Sequence, residues 1–176
     1  MPTATPVERP NATTMKGNPL TLLGEARKPG DQLPDFTVVD NGLKPVTSAS
    51  TRGSVLILSA VPSLDTPVCD TETRRFNVEA GKLGGQVKVL TVSMDLPFAQ
   101  KRWCGAAGVE HVRTLSDYQT GSFGLAMGTL IKELHLESRA IFVVDKEGVI
   151  RYVEYVPEIA SEPDYGQALA AAQALL

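Results

Sequence analysis

Apolar and polar positions along the chain fall into patterns that predict most of its secondary structure. Residues 1 to 14 carry Pro and Thr but almost no large apolar side chain. Such a segment cannot offset the entropy of its own ordering and is expected to form a mobile tail ahead of a domain spanning residues 15 to 176. Lys16-Gly17-Asn18-Pro19 reads as a turn feeding a strand over Leu20 to Leu23, a small N-terminal hairpin. Phe36 to Val39 is a strand closed by Asp40-Asn41-Gly42. Val55 to Ala60 is an apolar run between Arg52-Gly53 and Pro62, the mark of an interior strand buried on both faces. Thr66 is a polar capping residue directly ahead of Pro67, a proline suited to the first helical position, so a helix is predicted from there to about Gly81. Val87 to Ser93 repeats the strand pattern, and Leu96-Pro97 opens a second helix that runs through Gly105. Residues 106 to 137 show no clear period. Arg139 to Asp145 and Val149 to Val156, joined by Lys146-Glu147-Gly148, predict a hairpin, and Pro163 to Leu176 an Ala- and Leu-rich closing helix.

This order of elements predicts an α/β fold, a thioredoxin-like mixed β-sheet with helices on both faces. Composition agrees with one domain: 43% of the 176 residues are hydrophobic and 21% charged, enough apolar surface for a real core. The net charge is −3 and Lys and Arg are scattered, so no basic stripe is offered to a phosphate backbone and nucleic acid is not an expected partner. The longest apolar runs, such as Ala140 to Val144, fall far short of the roughly 18 residues a spanning helix needs, so no membrane partner is expected. MPTATPVERPNATT has neither a positively charged start nor an apolar stretch, which points to a cytoplasmic protein.

The chemistry centres on two cysteines, Cys69 and Cys104, too few for a disulfide-stapled scaffold. Cys69 falls in the first turn of the helix predicted after the interior strand. Unpaired backbone N–H groups and the positive helix end converge there, and both favour thiolate over thiol. Thr66, three residues earlier, can turn its hydroxyl toward that sulfur or toward a ligand oxygen. It occupies the place of the second cysteine in a C-x-x-C motif, so no resolving thiol stands next to Cys69. Both cysteines can also be read as small buried hydrophobes, more readily for Cys104, which sits within an apparent helix among apolar neighbours. Cys69, Cys104, His111 and His135 lack the spacing of a zinc site. A cysteine hydrolase would need His111 or His135 as its base, and neither G-x-S-x-G nor a phosphate-binding glycine loop occurs.

The stretch Pro62-x-x-x-Thr66-x-x-Cys69 resembles the peroxidatic-cysteine signature of peroxiredoxins. Ser63-Leu64-Asp65-Thr66-Pro67-Val68-Cys69, taken with Asp95-Leu96-Pro97-Phe98-Ala99-Gln100-Lys101-Arg102-Trp103-Cys104-Gly105, resembles the bacterial thiol peroxidases, the atypical two-cysteine peroxiredoxins. Ser138 to Asp145 and Glu162-Pro163-Asp164-Tyr165 fit the same family, and the likeness runs from about residue 15 to residue 176. The segment before Met15 is an addition, and Met127 stands where the family commonly has a tyrosine, a change that bears on substrate preference.

The resemblance implies a thioredoxin-dependent peroxidase. Cys69 would attack a hydroperoxide and become a sulfenic acid, and Cys104 would resolve it as an intrachain disulfide that thioredoxin reduces. No metal or organic cofactor is implied, and a homodimer is. Donors aimed at the developing negative charge should matter most. Thr66 Oγ1 and the Cys69 backbone N–H are candidates by spacing, and the Arg139 guanidinium by resemblance. Pro62 would shape the loop and keep water off the sulfur. The competing reading is a redox-sensing module that forms the same disulfide and signals without turnover, and a disulfide oxidoreductase is disfavoured by the missing C-x-x-C.

Overall fold

The computed structural model describes residues 4 to 176. In chain order the elements are β1 (Glu8–Met15), β2 (Asn18–Leu23), β3 (Thr37–Val39), β4 (Pro45–Thr47), β5 (Val55–Ala60), α1 (Pro67–Lys82), β6 (Val87–Ser93) and α2 (Pro97–Ala107). There follow β7 (Val112–Ser116), α3 (Ser122–Met127), β8 (Leu130–Ile131), β9 (Ala140–Val144), β10 (Ile150–Tyr155) and α4 (Tyr165–Gln173). Seven strands form one mixed sheet in the order β10-β9-β5-β6-β7-β3-β4, with β5, β6 and β7 parallel and β9 antiparallel to β5. The thioredoxin-like α/β architecture expected from the element order is the one observed.

All six residues of β5 are buried, as an interior strand covered on both faces requires. Its alternate residues feed two cores. Val55 and Ile57 join Val87, Val89 and Val112 beneath Phe76 and Ala80 of α1 and Ala168 and Ala172 of α4. Leu56 and Leu58 join Leu90, Val92, Leu115 and Phe142 beneath Phe123 and Met127 of α3. Helix α2 lies on the α1 side, where the Trp103 indole N–H donates to Asp70 at 2.9 Å.

The expected tail is corrected by the structure from Glu8 onward; residues 1 to 3 lie outside the described residues. Glu8–Met15 is a strand paired antiparallel with β2, and β2 in turn pairs with β8 to make a separate three-stranded sheet. The two-residue turn uses Lys16 and Gly17, both at positive φ (50° and 80°), the left-handed geometry that matches the twist of a hairpin. What holds β1 is not apolar burial, since only Thr13 of its eight residues is buried. Arg9 instead donates to the Gly24 carbonyl at 2.9 Å and to the Gly128 carbonyl, and Thr14 N–H donates to the Pro157 carbonyl at 2.9 Å. Residues 106 to 137 resolve into β7, the six-residue α3 and the two-residue β8, too short for a periodic signal. The closing helix ends at Gln173 and begins two residues later than expected, because Asp164 caps it, its carboxylate accepting the Gln167 N–H at 3.0 Å.

Candidate active site around Cys69

The strand β5 ends at Ala60, and the loop from Val61 to Thr66 delivers the chain to α1. Asp95, just before α2, fixes that loop. Its carboxylate accepts the Ser63 hydroxyl at 2.7 Å, the Leu64 N–H at 2.8 Å and the Ser93 hydroxyl at 2.8 Å. Pro67 occupies the first turn of α1, and Cys69 is the third helical residue, so its N–H is among those a helix leaves unpaired. The cysteine is fully buried, packed with Val61, Leu64 and Trp103, and Pro62 is buried beside them in the loop.

Arg139, immediately before β9, reaches this sulfur from across the sheet. It is 1% exposed, the largest fully buried side chain among the described residues, and its Nη2 donates to Cys69 Sγ at 3.2 Å. Its Nη1 donates to Glu72 Oε2 at 2.5 Å and its Nε to the Ile159 carbonyl at 2.9 Å. A surface arginine at a strand start is thereby excluded. Burial works against the Arg139 charge, but Glu72 and Cys69 more than offset it and hold its pKa above the ordinary value. Glu72, one turn after Cys69 and wholly buried, has its pKa raised by burial, which outweighs the opposing pull of Arg139 and of the Ser59 hydroxyl. The sequence reading missed Glu72. Its signal was a glutamate three residues after the cysteine, on the helix side that faces the sheet.

Thr66 lies at the helix start, but its hydroxyl donates to the Ser63 carbonyl at 2.9 Å rather than turning to the sulfur. Its oxygen keeps acceptor capacity while its proton is committed to the loop. Cys104 sits on α2 at intermediate exposure, its Sγ 3.3 Å from Thr114 Oγ1, and both thiols are free. A cleft of about 670 Å³ opens beside Cys104, lined among others by Lys88, His111, Arg113 and Thr114. His111 and His135 are both exposed and neither bonds Cys69, so the hydrolase arrangement is not assembled. Met127 is buried in the core on the α3 side, where its carbonyl accepts the Tyr155 hydroxyl at 2.6 Å.

A cysteine in the first turn after the interior parallel strand of a thioredoxin-like sheet, bonded to a buried arginine, defines a thiol-redox protein of the thioredoxin-like class. The redoxin family model matches residues 28–169. A thiol peroxidase of Halalkalibacterium halodurans is 55% identical over 163 residues, covering 93% of this chain and 98% of that protein. One from Bacillus subtilis is 53% identical and covers 93% and 97%. Among solved structures, a peroxiredoxin-like protein from Aquifex aeolicus superposes with a TM-score of 0.88 at 39% identity, over 94% of this chain and 98% of that one. The chain belongs to the redoxin family and, within it, to the thiol peroxidases.

Proposed function

We propose that the chain reduces hydroperoxides through Cys69 and Cys104. The observation that carries this reading is the 3.2 Å bond from Arg139 Nη2 to a buried cysteine sulfur at a helix start. A guanidinium is always charged and offers a planar fork of donors, so it can hold a thiolate and the incoming peroxide together. The Cys69 thiolate attacks the terminal peroxide oxygen, the O–O bond breaks, and the departing alkoxide or hydroxide takes a proton to leave as alcohol or water. Cys69 is then a sulfenic acid. The Cys104 thiol displaces its hydroxyl, forming the intrachain disulfide and releasing water. A dithiol reductant of the thioredoxin kind returns both cysteines to thiols by exchange, and the cleft beside Cys104 supports access from that side. Pro62 shapes the loop that keeps water from the sulfur, and Thr66 offers its free acceptor to the peroxide proton. The same reading places the protein in the cytoplasm as a homodimer. No helix among the described residues is long and apolar enough to cross a membrane.

The test is a pair of substitutions. Cys69→Ser is expected to abolish peroxide consumption, because an alcohol there is scarcely ionised at neutral pH. Cys104→Ser is expected to consume about one equivalent in stopped flow and then lose thioredoxin-linked cycling. Turnover retained by Cys69→Ser would overturn the assignment. A parent that forms the disulfide but does not cycle with a thioredoxin system would favour a sensor.

A further inference from the structure

The arginine that touches Cys69 is itself held by a chain of contacts reaching into the sheet. Ser59, on β5, is 1% exposed and its hydroxyl donates to Glu72 Oε1 at 2.7 Å. The other oxygen of Glu72 accepts Arg139 Nη1 at 2.5 Å, which leaves Nη2 aimed at Cys69 Sγ at 3.2 Å. A guanidinium has one degree of freedom that matters here, rotation of its plane. The Ile159 carbonyl fixes one edge and Glu72 a second, so the third edge has no choice of direction. Glu72 belongs to a long, flexible side-chain type and can hold that plane only if its own carboxyl is pinned. Ser59 stands on the rigid central strand and pins it.

We propose that Ser59 is a positioning residue of the peroxide site, acting through Glu72 to orient the Arg139 fork toward Cys69. The inference rests on the peroxidase reading and goes beyond it, because Ser59 touches neither cysteine nor substrate. Two acids, Cys69 and Glu72, share the single cation. The other charged or titratable groups bearing on Glu72 are Glu154 from β10 and Tyr165 from α4, the latter bonded to Glu162 and stacked under Arg75. None of these supplies a second cation to Glu72 directly, so among the described residues the hydroxyl is its one neutral hydrogen-bond donor. Without that hydroxyl Glu72 keeps its proton to higher pH. Arg139 then answers Cys69 alone, but with its plane no longer held.

Two effects of opposite appearance follow for Ser59→Ala. The plateau rate constant for the first oxidation, read by Trp103 fluorescence on rapid mixing with hydrogen peroxide, should fall about 10- to 100-fold through misorientation. The pH at which that rate reaches half its plateau should move down, since a Glu72 that holds its proton to higher pH competes less for the arginine. A mere packing defect would lower thermal stability without moving the midpoint. Ser59→Thr and Ser59→Val, nearly equal in volume and differing in the hydroxyl, separate the two causes. Threonine is expected to recover most of the rate and valine is not. Equal rates in threonine and valine, or a Ser59→Ala protein with the parent's rate and midpoint, would overturn the inference and leave the peroxidase reading standing. A parent that leaves hydrogen peroxide untouched would remove both.

Discussion

Arg139 answers three acceptors at once, the Ile159 carbonyl, the Glu72 carboxylate and the Cys69 sulfur, from three separate nitrogens of one planar fork. Arg139→Lys keeps a positive charge but offers one point of donation in place of a fork. The rate constant for sulfenic acid formation should fall about 10- to 1,000-fold, measured in rapid mixing, and a variant as fast as the parent would remove Arg139 from the chemistry. A second buried acid behaves differently. Glu137 is completely buried, accepts Thr129 Oγ1 at 2.5 Å, and lies against Asp117, whose carboxylate accepts the Phe123 and Gly124 N–H groups that start α3. Burial, then Asp117, holds the Glu137 pKa well above that of an ordinary carboxyl. The folded chain therefore keeps a proton that the unfolded chain releases above about pH 4.3. Stability must fall as pH rises from there toward the folded group's own titration. Glu137→Gln removes that dependence while retaining a donor for Asp117. Its denaturant midpoint should gain on the parent's as pH rises above about 4.3, and parallel curves would show that Glu137 is ionised in the fold. The helix start that holds Cys69 was legible from local context, because it is written in adjacent residues, whereas the turn of the Thr66 hydroxyl to the Ser63 carbonyl was not. Glu72 was not, because its meaning comes from an arginine 67 positions away in the chain.

Helices α1 and α2 are clasped next to the two sulfurs. Trp103, beside Cys104, donates to Asp70, beside Cys69. Arg74 bonds the other Asp70 oxygen at 2.9 Å and lies over the Trp103 ring at 5.6 Å. The ring also packs against the cluster of Val61, Leu64 and Cys69. A disulfide needs Cα atoms within roughly 4.4–6.8 Å, which a helix start and a helix interior seldom meet, so bonding Cys69 to Cys104 is expected to unwind part of α1, of α2 or of both. Trp103→Phe keeps the apolar contact and removes the indole bond, a loss worth about 1 kcal/mol. Hydrogen exchange should quicken over residues 66–76 and 96–106, and the disulfide should form several-fold faster after one equivalent of peroxide, followed by mass spectrometry of quenched samples. Unchanged exchange in both segments would mean the clasp does not limit opening. The helices themselves were legible because each begins with a proline after an extended residue, whereas the clasp joins side chains 33 positions apart.

In the sheet, β5, α1, β6, α2 and the β9–β10 hairpin were legible because β5 and β6 are mostly apolar and the hairpin is β-branched and aromatic, whereas the interior strand β7, broken by Arg113 and Thr114, was not. The first strand was not, since an edge strand held by backbone bonds and by Arg9 reaching 119 positions along the chain leaves no hydrophobic pattern to read. That difference between a charged group at the rim and one in the centre has a consequence for ionic strength. Mobile ions screen exposed charges over about 10 Å at 0.1 M salt but do not enter a dry interior. Lys132–Glu8, both half-exposed, belongs to the first kind, and Arg139 with Glu72, at 1% and 0% exposure, to the second. Sodium chloride raised from about 0.05 to 0.5 M should therefore leave the reaction of Cys69 with uncharged hydrogen peroxide within about twofold of its starting rate. The Arg139–Cys69 pair would work the same in dilute buffer and in brine, and a steep decline would mean that bulk solvent reaches it.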